Sequence, residues 1–130
     1  MRKKVMKSFL FACLCLFTMM VFTSAGNPFD VPGRPGRPEV FNIERDKCDI
    51  RFNKPDTDGG ARIEGYLVES RDRYSVKWVK KVITRKTSCT VPDLNEGDEL
   101  EFRVTASNKA GFGEPSYPSN RVIIRDPQNP

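Results

Sequence analysis

The sequence predicts an all-β fold, a sandwich of seven short strands, and three observations carry that prediction. Apolar and polar residues alternate in short runs, most cleanly from Leu100 through Phe102, Val104 and Ala106, with Glu101, Arg103, Thr105 and Ser107 between them. Successive side chains on a strand point to opposite faces, so such a run buries one face and wets the other. Turn sequences separate the runs at short intervals: PDTDGG at 55–60, PDLNEGD at 92–98 and NKAGFGEP at 108–115. No long stretch keeps the apolar period of an amphipathic helix, and Pro55, Pro92, Pro115 and Pro118 punctuate the chain. Many short alternating strands with Gly/Pro turns make a sandwich.

The elements follow in order. Residues 1–25 read as a signal peptide: Arg2, Lys3, Lys4 and Lys7 form a basic start, Phe9–Phe22 is apolar except for Thr18, and Thr23, Ser24, Ala25 and Gly26 are small. The apolar run is shorter than the ~20 residues a spanning helix needs, which favours cleavage, at Ala25–Gly26, over an uncleaved membrane anchor. Residues 26–37 read as a Pro/Gly-rich linker, extended and without a core of its own. The repeat Gly33-Arg34-Pro35, Gly36-Arg37-Pro38 is too short for a collagen helix.

A domain over 38–126 then holds the strands, leaving 127–130 as a tail. The first strand is Val40–Ile43, ragged in pattern. In the second, Cys48, Ile50 and Phe52 alternate with Asp49, Arg51 and Asn53. The third follows the glycine turn: Tyr66, Val68 and Ser70 share one face, and Leu67, Glu69 and Arg71 the other. Val76–Ile83 gives the fourth, with Trp78, Val79 and Val82, and Cys89–Val91 the fifth. Leu100–Ser107 is the sixth and Arg121–Arg125 the last.

Charge and cysteine content change when the signal segment is set aside. The full chain carries 22 basic and 17 acidic residues. Four of the bases and none of the acids precede Gly26, so the remainder is close to neutral, without the basic excess that nucleic-acid binding requires. Of four cysteines, Cys13 and Cys15 lie in the apolar run, and Cys48 and Cys89 remain. Extracellular residence makes a disulfide the first expectation for such a pair.

The order and spacing of DGG (58–60), GYLVESR (65–71), Trp78-Val79, TSCTVPDLNEGDELEFRV (87–104) and SNKAGFGEPS (107–116) resemble a fibronectin type III domain. The pattern is most similar to the modules of titin- and twitchin-like muscle proteins, and it covers about 38–126. It implies an immunoglobulin-like sandwich that binds or spaces and does no chemistry. Two core positions depart from the family's pattern. Phe52 stands where a Trp is usual, and Leu100 stands where a Tyr normally ties back to upstream backbone. Loss of that hydrogen bond is worth about 1 kcal/mol. The family's register places Ile50 opposite Val91, and so sets Cys48 and Cys89 about four residues apart along their strands. That is roughly 13 Å, beyond the ~7 Å reach of a disulfide. Both thiols are therefore expected free and buried.

Chemistry finds little support. The chain has no histidine, the commonest general base and metal ligand. Two separated cysteines make a poor zinc set. Asp56 and Asp58 beside Gly59 and Gly60 suggest a calcium turn, but a solvated reverse turn explains them better. No phosphate loop or nucleophile elbow is present, so no cofactor, no metal and no enzymatic activity are expected. The candidate protein-binding residues lie in two loops: Asp56, Asp58, Gly59 and Gly60 in one, and Asn108, Lys109, Gly111, Phe112 and Gly113 in the other. Phe112, between two glycines, has the form of a binding anchor, although folding back onto the Pro55 turn is favoured. Lys77, Lys80, Lys81, Arg85 and Lys86 offer a weak polyanion site, better read as a solvated strand face. There is no Arg-Gly-Asp, no WSxWS box and no Asn-x-Ser/Thr acceptor.

The expected function is a secreted single module that binds a protein partner. The alternative is a structural spacer from a titin/twitchin-like sarcomeric array, which is cytoplasmic; free thiols and absent glycosylation sites fit that ancestry. Membrane attachment follows only if the signal segment is retained.

Overall fold

The structure is a computed structural model that describes residues 28–128; the expected signal segment at 1–25 lies outside the described residues. Among the described residues there is no helix long and apolar enough to cross a membrane. Eight strands form there: β1 (Glu39–Phe41), β2 (Cys48–Arg51), β3 (Gly65–Asp72), β4 (Val79–Thr84), β5 (Ser88–Val91), β6 (Glu99–Asn108), β7 (Gly111–Phe112) and β8 (Val122–Ile123). They make two antiparallel sheets, one ordered β1-β2-β5 and the other β4-β3-β6-β7, with β8 also paired to β6.

The alternating residues meet between the sheets. Ile50, Val68, Val91, Phe102, Val104 and Ile124 are fully buried. Phe52 fills its position by meeting Tyr66 edge-on, with ring centroids 4.9 Å apart and planes at 68°, a favoured aromatic geometry. Leu100 is buried opposite Asp72 and Val122. On the outer face of the larger sheet, Trp78 lies beneath the Arg71 and Arg103 guanidiniums, each 4.5 Å from its ring centre. Arg71 bonds Glu101, and Arg103 donates to Glu69 at 2.9 Å.

Four expected strands are shorter than their sequence pattern: the first ends at Phe41 and the second at Arg51, and the fourth and the last also shorten. The fourth begins at Val79 because a turn consumes the preceding residues: Ser75 N–H donates to Asp72 O (3.1 Å) and Lys77 N–H to Ser75 Oγ (3.0 Å). The last is only Val122–Ile123, and a further two-residue strand, β7, precedes it. Between them runs Pro115-Ser116-Tyr117-Pro118-Ser119-Asn120, where proline cannot donate to a ladder. The chain there pairs every third residue instead. Gly113, Ser116 and Ser119 donate their N–H groups to Ala106, Val104 and Phe102 carbonyls at 2.9, 2.7 and 2.8 Å. The Ser116 and Ser119 hydroxyls accept the Val104 and Phe102 N–H groups, both at 2.9 Å. Side-chain oxygens thus complete the edge of β6.

The same three-residue period orders the segment before β1. Pro32, Pro35 and Pro38 are buried, while Arg34 and Arg37 are exposed. Asp30, Gly33 and Gly36 donate to the carbonyls of Gly59, Thr57 and Asn53 at 2.9, 3.0 and 2.9 Å. Residues 30–38 are therefore docked on the sandwich, not extended away from it. A polyproline strand has three residues per turn, so one side of it can carry all three prolines.

The β2–β5 register also differs from expectation. Cys48 faces Val91 and Ile50 faces Cys89, so the cysteines are offset by two residues, not four. They are diagonal neighbours, roughly 7 Å apart along the strands. Neither is bridged, and Cys89 is half-buried where it was expected buried. Its strand is an outer one in its sheet, which leaves one flank of the side chain uncovered.

Candidate functional site

The two candidate loops meet at one end of the sandwich, where the docked N-terminal segment joins them. In the first, Gly60 N–H donates to Asp58 Oδ1 (2.9 Å) and Gly59 N–H to Thr57 Oγ1 (3.2 Å). These are local side-chain caps of the kind that shape Asx turns. Gly59 has φ +78°, and a Cβ there would lie 2.1 Å from Asp30 O, so only glycine admits the close approach. Asp56 and Asp58 are exposed. No group of three or more His, Cys, Asp or Glu side chains able to hold a metal occurs among the described residues.

The second loop is fixed by Asn108, at the end of β6 and 5% exposed. Its Nδ2 donates to the main-chain carbonyls of Asp30 (2.8 Å) and Asp58 (2.6 Å), and its Oδ1 accepts Ala110 N–H at 2.8 Å. One side chain thereby holds the N-terminal segment, the glycine turn and its own hairpin together. Gly113 completes the contact: a Cβ there would lie 2.0 Å from Pro32 O. Gly111 takes φ +129° and Lys109 stands exposed at the tip.

Phe112 does not fold back onto the Pro55 turn; it is 59% exposed. Pairing with Ser107 on β6 puts it on the outward face of the sheet. The space beside Pro55 is occupied by the N-terminal segment, with a Gly33 Cβ position 3.7 Å from Pro55 Cβ. Phe29, packed by the Gly60 position, and Val31, beside Gly111, are also exposed at this end.

The sequence-derived residues thus divide by role. Phe112, Lys109, Asp56, Asp58 and Gly60 are presented to solvent, while Asn108, Gly59, Gly111 and Gly113 shape and hold the loops that present them. Phe29 and Val31 were not singled out by sequence, because their segment read as a linker. The Pro-Gly-Arg period at 32–37 was the available signal.

Comparison with known proteins adds to this geometry. The family model described as "Fibronectin type III domain" matches residues 33–122. The chain is 33% identical over 97 residues to a titin homolog of Caenorhabditis elegans, covering 75% of this chain. It is 41% identical over 101 residues to contactin-3 of Mus musculus, covering 71% of this chain. It spans only a small part of those relatives, a share that rounds to 0% of the first and reaches 10% of the second. A crystal structure of a run of titin domains superposes with a TM-score of 0.74 at 34% identity, covering 75% of this chain and 34% of that one.

Proposed function

The chain belongs to the fibronectin type III family, and from that premise we propose that it is a secreted module that binds another protein without catalysis. The observation that carries this reading is Phe112: an aromatic side chain 59% exposed on a hairpin that Asn108 fixes to two other segments. A large apolar group held rigidly in solvent loses little conformational freedom on binding, which is the character of an interface anchor. Phe29 and Val31 extend the apolar surface, and Asp56, Asp58 and Lys109 give it a charged rim. The partner is a protein, and the basic start, apolar run and small residues of 1–25 support export before binding.

Export is tested by the intact mass of the product released by secreting cells, with its thiols counted: a chain beginning near Gly26 with two free thiols is expected. A full-length product held in membranes, or one retained in the cytosol, overturns secretion. Surface binding is tested by titrating labelled chain onto intact cells. Saturable binding that Phe112→Ser abolishes is expected; no saturable binding, or binding that the variant keeps, overturns the reading. A second reading, a structural spacer derived from a titin/twitchin-like array, is favoured by the likeness to a titin homolog and to a run of titin domains. Cytosolic retention would favour it.

A further inference from the structure

β4 is the outer strand of its sheet, paired with β3 alone. Along the free side of such a strand, alternate N–H and C=O groups have no strand partner. The chain around it is one-signed: from Arg73 to Pro92 there is no acidic residue, and there are six basic ones, Arg73, Lys77, Lys80, Lys81, Arg85 and Lys86. Arg73 is paired with Glu99, while the other five take part in no ion pair among the described residues. The same stretch exposes four large apolar side chains: Tyr74 (87%), Val76 (93%), Val79 (52%) and Ile83 (77%).

Lysines on an edge protect it against indiscriminate pairing, and a bulge between Val68 and Glu69, which leaves Lys81 without a partner on β3, does the same. Protection explains the charge but not the apolar groups. Two of these side chains stand on β4 itself, Val79 opposite Ser70 and Ile83 opposite Leu67, so each face of the edge strand offers an exposed apolar group to a strand laid beside it, and Tyr74 and Val76 precede them.

We propose that the β4 edge is a docking strand, which adds an extended segment of a partner protein as a further strand of the sheet, the segment alternating acidic and apolar side chains. Main-chain bonds would supply part of the affinity and the alternate side chains the selectivity. The inference rests on the reading of this chain as a protein-binding module, but uses a different surface from the Phe112 end. Charge selects the occupant. A second copy would set one basic strand against another, and like charges directly opposite destabilise a pair. A sulfated polysaccharide would answer the lysines but leave the strand edge and the apolar side chains unused.

The test is an amide-resolved NMR titration of the full chain with three probes: a peptide of alternating glutamate and valine, its lysine–valine counterpart, and a heparin fragment. The acidic peptide is expected to shift the Val79–Thr84 amides and slow their hydrogen exchange, and the lysine peptide to do neither. Reversing Lys77, Lys80 and Lys86 to Glu should weaken the acidic peptide roughly tenfold or more, with unchanged exchange in β6 showing that the variant is folded. The inference is overturned if the heparin fragment moves these amides and the peptide does not, if no probe moves them, or if sedimentation shows the chain pairing with itself through β4. Phe112→Ser should leave the peptide titration unchanged. A silent β4 edge would therefore overturn this inference and leave the loop reading standing.

Discussion

Asn108 decides whether the loop end of the molecule has one shape. It is buried, and its amide serves two carbonyls from segments 78 and 50 residues away in the chain. Replacing it with alanine leaves those carbonyls and Ala110 N–H without their partner, which should cost about 2 kcal/mol. Urea unfolding of Asn108→Ala measures this; a change within a few tenths of a kcal/mol would show that water replaces the amide. The sequence placed Asn108 in the right loop but gave no hint of the clamp, because its partners are main-chain oxygens that no residue type announces. The thiols give a second prediction at this scale. Burial, with Asp49 nearby as a lesser cause, pushes Cys48 up to about 12 and Cys89 to about 11, from an ordinary value of 9.0. An unfolded chain therefore releases these protons at lower pH than the folded one. The stabilisation is fully present below pH 9 and falls away as pH rises toward 11–12. Iodoacetamide at pH 8 should leave Cys48 unlabelled until the chain unfolds and label half-buried Cys89 only slowly, and Cys89→Ala should flatten the loss of stability above pH 9. Rapid labelling of Cys48 in the folded chain would contradict its buried placement.

Strand existence was largely legible, because alternation over β3 and β6 records which face is buried. What the pattern missed were two elements that do not alternate. Residues 30–38 and 113–120 run with a three-residue period, and proline-rich sequence has the same composition whether it is docked or solvated. Only the spacing of Pro32, Pro35 and Pro38, and of Ser116 and Ser119, separates the two cases. The serines make this testable. Ser116→Ala and Ser119→Ala each leave a buried β6 N–H, of Val104 or Phe102, without its acceptor. Each should cost about 1–3 kcal/mol. Tyr117→Ala, between them, loses only an exposed contact with Arg34, whose guanidinium lies 4.2 Å from the ring centre, worth up to about 1 kcal/mol. Equal costs for all three would mean that the hydroxyls do not complete the sheet edge. The β2–β5 register was not legible either. A two-residue slip preserves which face each side chain occupies, so alternation allows both pairings.

At the scale of the whole molecule, the described residues form a near-neutral sandwich with two distinct surfaces. One end gathers three segments under Asn108 and presents Phe112; one edge, β4 with the turn before it, carries lysines that form no ion pair among the described residues and exposes Tyr74, Val76, Val79 and Ile83. Family and fold could be read from the order of the turns, because each turn fixes where a strand begins. The Phe112 surface could not, since its exposure depends on the N-terminal segment occupying the space beside Pro55. The measurement that tests the central claim most directly replaces Phe112 with the photo-cross-linker p-benzoylphenylalanine in the full chain, applied to cells and irradiated. The account predicts one discrete cross-linked protein, displaced by excess unmodified chain and not by Phe112→Ser. No cross-link, or equal displacement by both competitors, would contradict it.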